Sequence, residues 1–364
     1  MKDVFVIGGG PAGLAAAIAV RKRGFQVAVA DPRDPPIDKP CGEGLLPDAV
    51  EALCRLGVEL PHGTGCSLSG VRFLHEGKSA EARFPSKPGL GVPRTALHDA
   101  LAAQASASGV ELRWRARIRA TDDGTFLGQQ RIRASWIVGA DGANSVIRRW
   151  SGLDHHSQSA PRFAFRTHFR LAPWTGFVEV YWGSGMQVYV TPIGKMEVCV
   201  AVVSHDPRTR LSHALFAFPA LAARLRAGEP ISAERGAITR MLKLRRVCSH
   251  NLALIGDASG CVDAVTGEGL GLAFRQAIVL ADAIAAGNLA LYEAGHRKLM
   301  HRPFFMGHSL LLLDRHEGLR RRVINVFETH SQVFARCIAA HVGGLTKPQF
   351  ALTGANLGWH LLGT

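Results

Sequence analysis

The sequence contains no stretch of 18 uninterrupted apolar residues, so no membrane-spanning helix is expected. Its seven cysteines (Cys41, Cys54, Cys66, Cys199, Cys248, Cys261, Cys337) make no C-x-x-C pair and no metal-ligand spacing. No metal site is therefore expected, and the free thiols suggest a reducing cytoplasm. Internal repeats and low-complexity segments are absent. Acid is in short supply: 29 Asp and Glu stand against 43 Lys and Arg, giving a net charge of +14. Such an excess suits nucleic acid, a membrane surface or an anionic substrate. The arginines are scattered and accompany no nucleic-acid motif, which leaves the last two. Residues 4–20 are apolar enough to imitate a signal peptide, but Lys2-Asp3 is a poor positive leader and a glycine pattern explains the stretch better. At 364 residues, 47% hydrophobic, the chain can form two joined lobes and a tail.

That glycine pattern organises the chain. Val4 to Ile7 reads as a buried strand, and Gly8, Gly10 and Gly13 complete G-x-G-x-x-G, enclosing Pro11 and Ala12. The first glycine makes the turn, the second admits a pyrophosphate and the third lets helix and strand pack closely. Leu14 to Lys22 reads as an alanine-rich helix whose dipole faces that pyrophosphate. A second strand, Phe25 to Ala30, ends at Asp31, an acid placed to bind ribose hydroxyls and to disfavour a 2′-phosphate. FAD and NAD both satisfy this much.

Beyond it, Pro32 to Pro40 is a loop leading into Lys39-Pro40-Cys41-Gly42-Glu43-Gly44 and a helix over 47–56. The two glycines fit a backbone passing close to something flat, or a plain turn. A strand pair is expected over 71–84, then a helix from Thr95 with Arg94 just ahead of it, placed to reach a phosphate. Strands are expected over 110–114 and 132–138. The second opens into Gly139-Ala140-Asp141-Gly142, a turn able to contact phosphate. Residues 163–203 carry four strands of an antiparallel sheet, with a hairpin at 192–195 and enough aromatics to wall an apolar pocket. A helical stretch over 211–228 would roof that sheet, and 236–246 would return as one basic strand.

Leu252 to Ile255 is a buried strand ending in Gly256-Asp257. Gly267-Glu268-Gly269-Leu270-Gly271 then opens a second helix through Ala285, an arrangement suited to a polyol chain and an electron-withdrawing ring. Glu268 either compensates that helix's dipole or serves in proton transfer. From Leu291 the chain is helical and basic. It reads as a packed helix pair with a solvated edge formed by Arg315, Arg320, Arg321 and Arg322, the alternative being a peripheral membrane-surface helix.

The three motifs, in order, resemble the para-hydroxybenzoate-hydroxylase-like FAD superfamily, whose members include aromatic and ubiquinone-pathway monooxygenases and geranylgeranyl reductases. The resemblance covers residues 1–290 and implies an α/β fold: a Rossmann-like FAD-binding domain (1–70, 94–155, 247–290) interleaved with an antiparallel β-sheet substrate domain (71–93, 156–246), plus a helical C-terminal region (291–364). It implies FAD held by Gly8, Gly10, Pro11, Ala12, Gly13, Asp31, Arg94, Asp141, Gly256, Asp257, Gly267, Gly269 and Leu270. It further implies NAD(P)H as a transient reductant and an apolar or aromatic small-molecule substrate. Lys39-Pro40-Cys41-Gly42 is similar to the reductase branch and makes Cys41 the candidate catalytic residue, beside the flavin. Asp141 to Ser145 and Tyr189 to Gly194 resemble the monooxygenase branch at least as much. The favoured expectation is an FAD-dependent, NAD(P)H-driven monooxygenase. The alternatives are a reductase of isoprenoid double bonds and a flavin-binding protein without turnover. One departure stands out: Val262-Asp263-Ala264-Val265 replaces the proline usual before the last glycine loop.

Overall fold

The structure, a computed structural model, describes residues 2–121, 124–127 and 130–362. Its first sheet runs, in spatial order, Cys248–Ser249, Leu252–Leu254, Ala134–Gly139, Lys2–Ile7, Val27–Ala30 and Glu111–Arg113. All neighbours pair in parallel except the antiparallel edge strand Cys248–Ser249. Alternation along a strand sends side chains to opposite faces. Val4, Val6, Val27 and Val29 pack into one apolar cluster, while Phe5, Ile7, Ala28 and Ala30 join another. On the first face lie the helices Pro11–Arg21 and Gly269–Ala285. The fully buried alanines 15–17 let these two backbones approach closely.

The second sheet has eight strands, seven along its main path and an eighth, Arg235–Thr239, that pairs beside it. The four expected strands are present as Arg162–Arg170, Phe177–Gly183, Met186–Gly194 and Glu197–Ser204. The hairpin closes where Gly194 faces Glu197. The expected strand pair is Gly70–His75 with Lys78–Arg83. Its two turn residues, Glu76 and Gly77, both have positive φ (48° and 80°), the twist that a tight antiparallel hairpin requires. Phe177–Gly183 runs parallel to Gly70–His75 and joins the two segments into one sheet.

Both faces of this sheet are covered. Tyr181, Val188, Val190, Val198, Val200 and Val202 bury against residues 211–225. That segment is two short helices, Leu211–Ala214 and Pro219–Leu225, separated by a 3₁₀ turn, rather than the one helix expected, since Pro219 begins a new helix. Val180, Trp182 and Phe73 face the other way and pack with the C-terminal helices. Phe327 and Phe334 stack there at 4.4 Å, and Phe73 lies 4.9 Å from Phe334. The expected basic strand over 236–246 is likewise two, Arg235–Thr239 and Leu242–Leu244, which separate to join different sheets.

The C-terminal region forms the helices Leu289–Arg315, Glu317–Thr329, Ser331–His341 and Lys347–Leu362. Arg315, Arg321 and Arg322 are exposed as expected, but Arg320 is not. It is 1% exposed and donates to the carbonyls of Leu313 and Asp314, satisfying acceptors left open at the end of the long helix. Among the described residues no helix is long and apolar enough to cross a membrane.

Candidate functional site

A cavity of about 950 Å³ runs from the glycine loops of the first sheet to the gap between the second sheet and the C-terminal helices. At one end Gly10, Pro11, Ala12, Arg94, Asp141, Gly256, Asp257, Gly267, Gly269 and Leu270 line it; Cys41 also lies on its wall. The other end is apolar, with Phe73, Val180, Leu313, Val323, Phe334 and Ile338 among its walls.

Gly8, Gly13 and Asp31 stand behind this wall rather than on it. A Cβ at Gly8 would come 2.3 Å from the Ala140 carbonyl oxygen, and one at Gly13 would come 1.8 Å from that of Gly8. These two glycines let strand, helix and neighbouring turn pack together. Gly10 differs, because a Cβ there would meet nothing in the protein within 4 Å. Asp31 is 1% exposed and accepts from the Gly9 amide at 2.8 Å and from the Arg33 backbone and guanidinium at 2.9–3.1 Å. Burial works to raise its carboxyl, but these donors and the charge of Arg33 hold it below the usual range. In this arrangement Asp31 fixes the glycine loop and Arg33.

The first helix begins at Gly10 without a side-chain cap, and so does the Gly269–Ala285 helix at Glu268. Their open N–H groups and positive dipole ends come at the cavity from two sides. Arg94 is the first residue of the Arg94–Ala107 helix instead of lying ahead of it, and its Nε is buried without a partner among the described residues. The Lys39 ammonium is pushed down by burial and by the nearby Arg33 charge. Polar groups so placed favour an anion.

Asp141 turns its carboxylate onto the start of the next helix, accepting from Ser145 Oγ and from the amides of Val146 and Ile147 at 2.7 and 3.1 Å. Buried Arg148 donates to the carbonyls of Ala143 and Ala258, tying this turn to the Gly256-Asp257 turn. Gln276 accepts from the Gly256 amide at 2.9 Å, and Ser259 lies 2.9 Å from His296 Nε2. Asp257 itself stays exposed toward the cavity.

The Cys41 turn is held by a residue to which the sequence assigned no role. Glu43, 1% exposed with φ at 58°, donates its amide to Cys41 Sγ at 3.3 Å. Its carboxylate accepts from the Arg94 amide at 3.0 Å and meets His168 Nε2 at 2.7 Å. Cys199 Sγ lies close to both and donates to the Cys41 carbonyl at 3.6 Å, its thiol pushed well up by burial. His98, fully buried one turn after Arg94, holds the Gly9 carbonyl through Nε2 at 2.9 Å. The spacing Arg94-x-x-x-His98 was the only local signal for it. Asp263, where proline is usual, caps its own turn by accepting from the Val265 amide at 3.0 Å and pairs with buried Arg162 at 2.8 Å. An ion pair restrains here what a ring would restrain elsewhere.

Residues 1–288 match the FAD binding domain family. The chain belongs to that family. The protein is therefore an FAD-dependent oxidoreductase with a Rossmann-like fold. The residues fit the group: the uncapped helix start at Gly10, the free space beside it and the orphaned Arg94 Nε suit the FAD diphosphate. The chain is 28% identical over 341 residues to a menaquinone reductase of Mycolicibacterium smegmatis, spanning 85% of this chain and 82% of the relative. A rifampicin monooxygenase of Streptomyces venezuelae is 31% identical over 166 residues, 42% of this chain and 34% of that enzyme. Among solved structures, a flavoprotein/dehydrogenase from Cytophaga hutchinsonii superimposes with a TM-score of 0.82 at 20% identity, covering 99% of both chains.

Proposed function

We propose that this protein is an FAD-dependent reductase that hydrogenates a carbon–carbon double bond in a polyprenyl-chained lipid such as a menaquinone. The observation that carries this reading is the continuity of the cavity. The space lined by the FAD loops opens directly into an apolar slot between the second sheet and the C-terminal helices. A flexible isoprenoid chain suits such a slot, because each methylene it buries contributes about 0.8 kcal/mol. The relative matched over most of both chains is named a reductase, whereas the monooxygenase match spans less than half of this chain.

When bound and reduced, FAD supplies a hydride. The chain's own residues supply the rest. Gly10, Arg94 and Asp257 hold the cofactor, and the positive end of the Gly269–Ala285 helix favours negative charge on its ring. Phe73, Phe334 and Ile338 seat the chain and exclude water. NAD(P)H is the proposed electron source and needs no second dinucleotide fold if it binds transiently.

A monooxygenase is the second reading, favoured by the monooxygenase-like Asp141 to Ser145 turn. Product mass separates the two. Incubation with a menaquinone, NAD(P)H and air is expected to add two hydrogens to the prenyl chain while the naphthoquinone spectrum is retained. Gain of one oxygen atom would replace the reductase with the monooxygenase. Unchanged lipid, with NAD(P)H unconsumed, would refute both.

A further inference from the structure

Saturating a double bond requires a proton as well as a hydride, and the cavity wall carries a buried acid able to give one. Glu268 stands between Gly267 and Gly269 on that wall, 4% exposed, and its Oε2 has no hydrogen-bond partner among the described residues. The same wall carries Gly256 and Asp257 from the FAD loops and Phe334 and Ile338 from the apolar slot. Glu268 sits in the glycine loop at the cofactor end and approaches His341, on the helix that carries Phe334 and Ile338.

The groups around it are few. His341, from the Ser331–His341 helix, lies with Nδ1 3.9 Å from Glu268 Oε2, while its Nε2 is held by the Thr266 carbonyl at 2.8 Å. Arg275 Nη2 is 3.9 Å from Oε1, and that arginine is engaged with Asp48 at 3.1 Å. Arg302 exerts a weaker pull from the long helix. The His341 and Arg275 contacts are both long ion pairs, beyond hydrogen-bond distance. Burial pushes the carboxyl up, against the opposing charges of His341 and Arg275, and Asp48 raises it further. A buried acid whose carboxyl is pushed up, with an unpaired oxygen on a largely apolar wall, is placed to donate.

We infer that Glu268 is the catalytic proton donor of the reduction. This rests on the reductase reading above. The alkene π bond is consumed as two C–H bonds form, one from the hydride of reduced FAD and one from the Glu268 proton. The flavin is oxidised by two electrons, the Glu268 O–H bond breaks, and the residue is left as a carboxylate facing His341 and Arg275. It regains its proton from water that enters once product has left.

The test uses the FAD-loaded enzyme, reduced with dithionite under anaerobic conditions and mixed with a detergent-dispersed menaquinone. Glu268→Gln keeps size and polarity but has no acidic proton. It should retain FAD at wild-type occupancy yet slow flavin reoxidation by at least roughly 10²-fold, the usual lower worth of general-acid catalysis. The wild-type rate should fall as pH rises through the carboxyl's raised pKa, and this limb should be absent from the Gln variant. Glu268→Asp should recover part of the rate. Independently of turnover, the infrared band of a protonated carboxyl at neutral pH should be present in wild type and missing from Glu268→Gln. If wild-type reduced flavin is not reoxidised by the probe, the reductase reading falls and the donor with it. If wild type reacts and Glu268→Gln reacts as fast, or the carboxyl band is absent, the donor assignment alone is overturned.

Discussion

Arg162 Nη1 lies 2.8 Å from Asp263 Oδ1, and neither side chain is more than 2% exposed. The guanidinium continues to Gln187, Gln187 to Asp314, and Asp314 to His205 at 2.8 Å. This thread, buried as far as Asp314, joins the loop ahead of Gly267 to the second sheet and to the end of the long C-terminal helix. Removing one member leaves the opposite charge unpaired, which costs more than the pair contributes. Arg162→Met is therefore expected to lower stability by about 3–5 kcal/mol. Urea unfolding of the flavin-loaded protein measures it, and an unchanged midpoint would show the thread to be dispensable.

Gly10 and Gly13 belong to one motif but should fail differently. A methyl at Gly13 meets the Gly8 carbonyl oxygen at 1.8 Å, so Gly13→Ala should destabilise the protein by about 3 kcal/mol or more, with or without FAD. A methyl at Gly10 meets only the space assigned to the cofactor. Gly10→Ala should thus fold normally without flavin and bind FAD more weakly. Melting temperatures of flavin-free and flavin-loaded protein distinguish the two cases.

Cys41 lines the cavity while its turn is pinned by Glu43. Cys41→Ala should keep FAD bound and slow anaerobic reoxidation of the reduced flavin by a menaquinone about tenfold, equivalent to about 1.4 kcal/mol in the barrier. Rapid mixing reports the rate. Equal rates for variant and wild type, in the absence and in the presence of oxygen, would leave Cys41 as packing.

Burial holds the His296 imidazole down at about 4, below the value near 6.5 of an unfolded chain. Between these values the unfolded chain binds the proton and the folded one does not. This part of the stability is intact above about pH 6.5 and is lost as pH falls toward 4, reaching roughly 3 kcal/mol. His296→Gln should flatten that acid slope in urea midpoints collected between pH 7 and 4.5. An equally steep slope in the variant would assign the acid sensitivity to other groups.

Much of this protein was legible in its sequence because the relevant physics is local. A buried strand running straight into Gly8, Gly10 and Gly13 and then a helix leaves room for a diphosphate and little else. The choice of FAD over NAD came instead from the resemblance of three ordered motifs to an FAD superfamily. The strand-like runs along 163–203, dense in aromatics, likewise announced an antiparallel sheet able to wall an apolar pocket. Periodicity reports that a face is covered but not by what. The roof over one face by residues 211–225 was foreseeable from the sequence, but that helices about 150 residues further along than Val180 close the other face into a cavity was decided only by tertiary packing. Glu43, His98, Asp263 and Arg162 are single polar residues whose partners lie 51 to 125 positions away. No local pattern encodes such a pairing, because the free energy that selects it exists only once burial has removed the water that would otherwise satisfy each group.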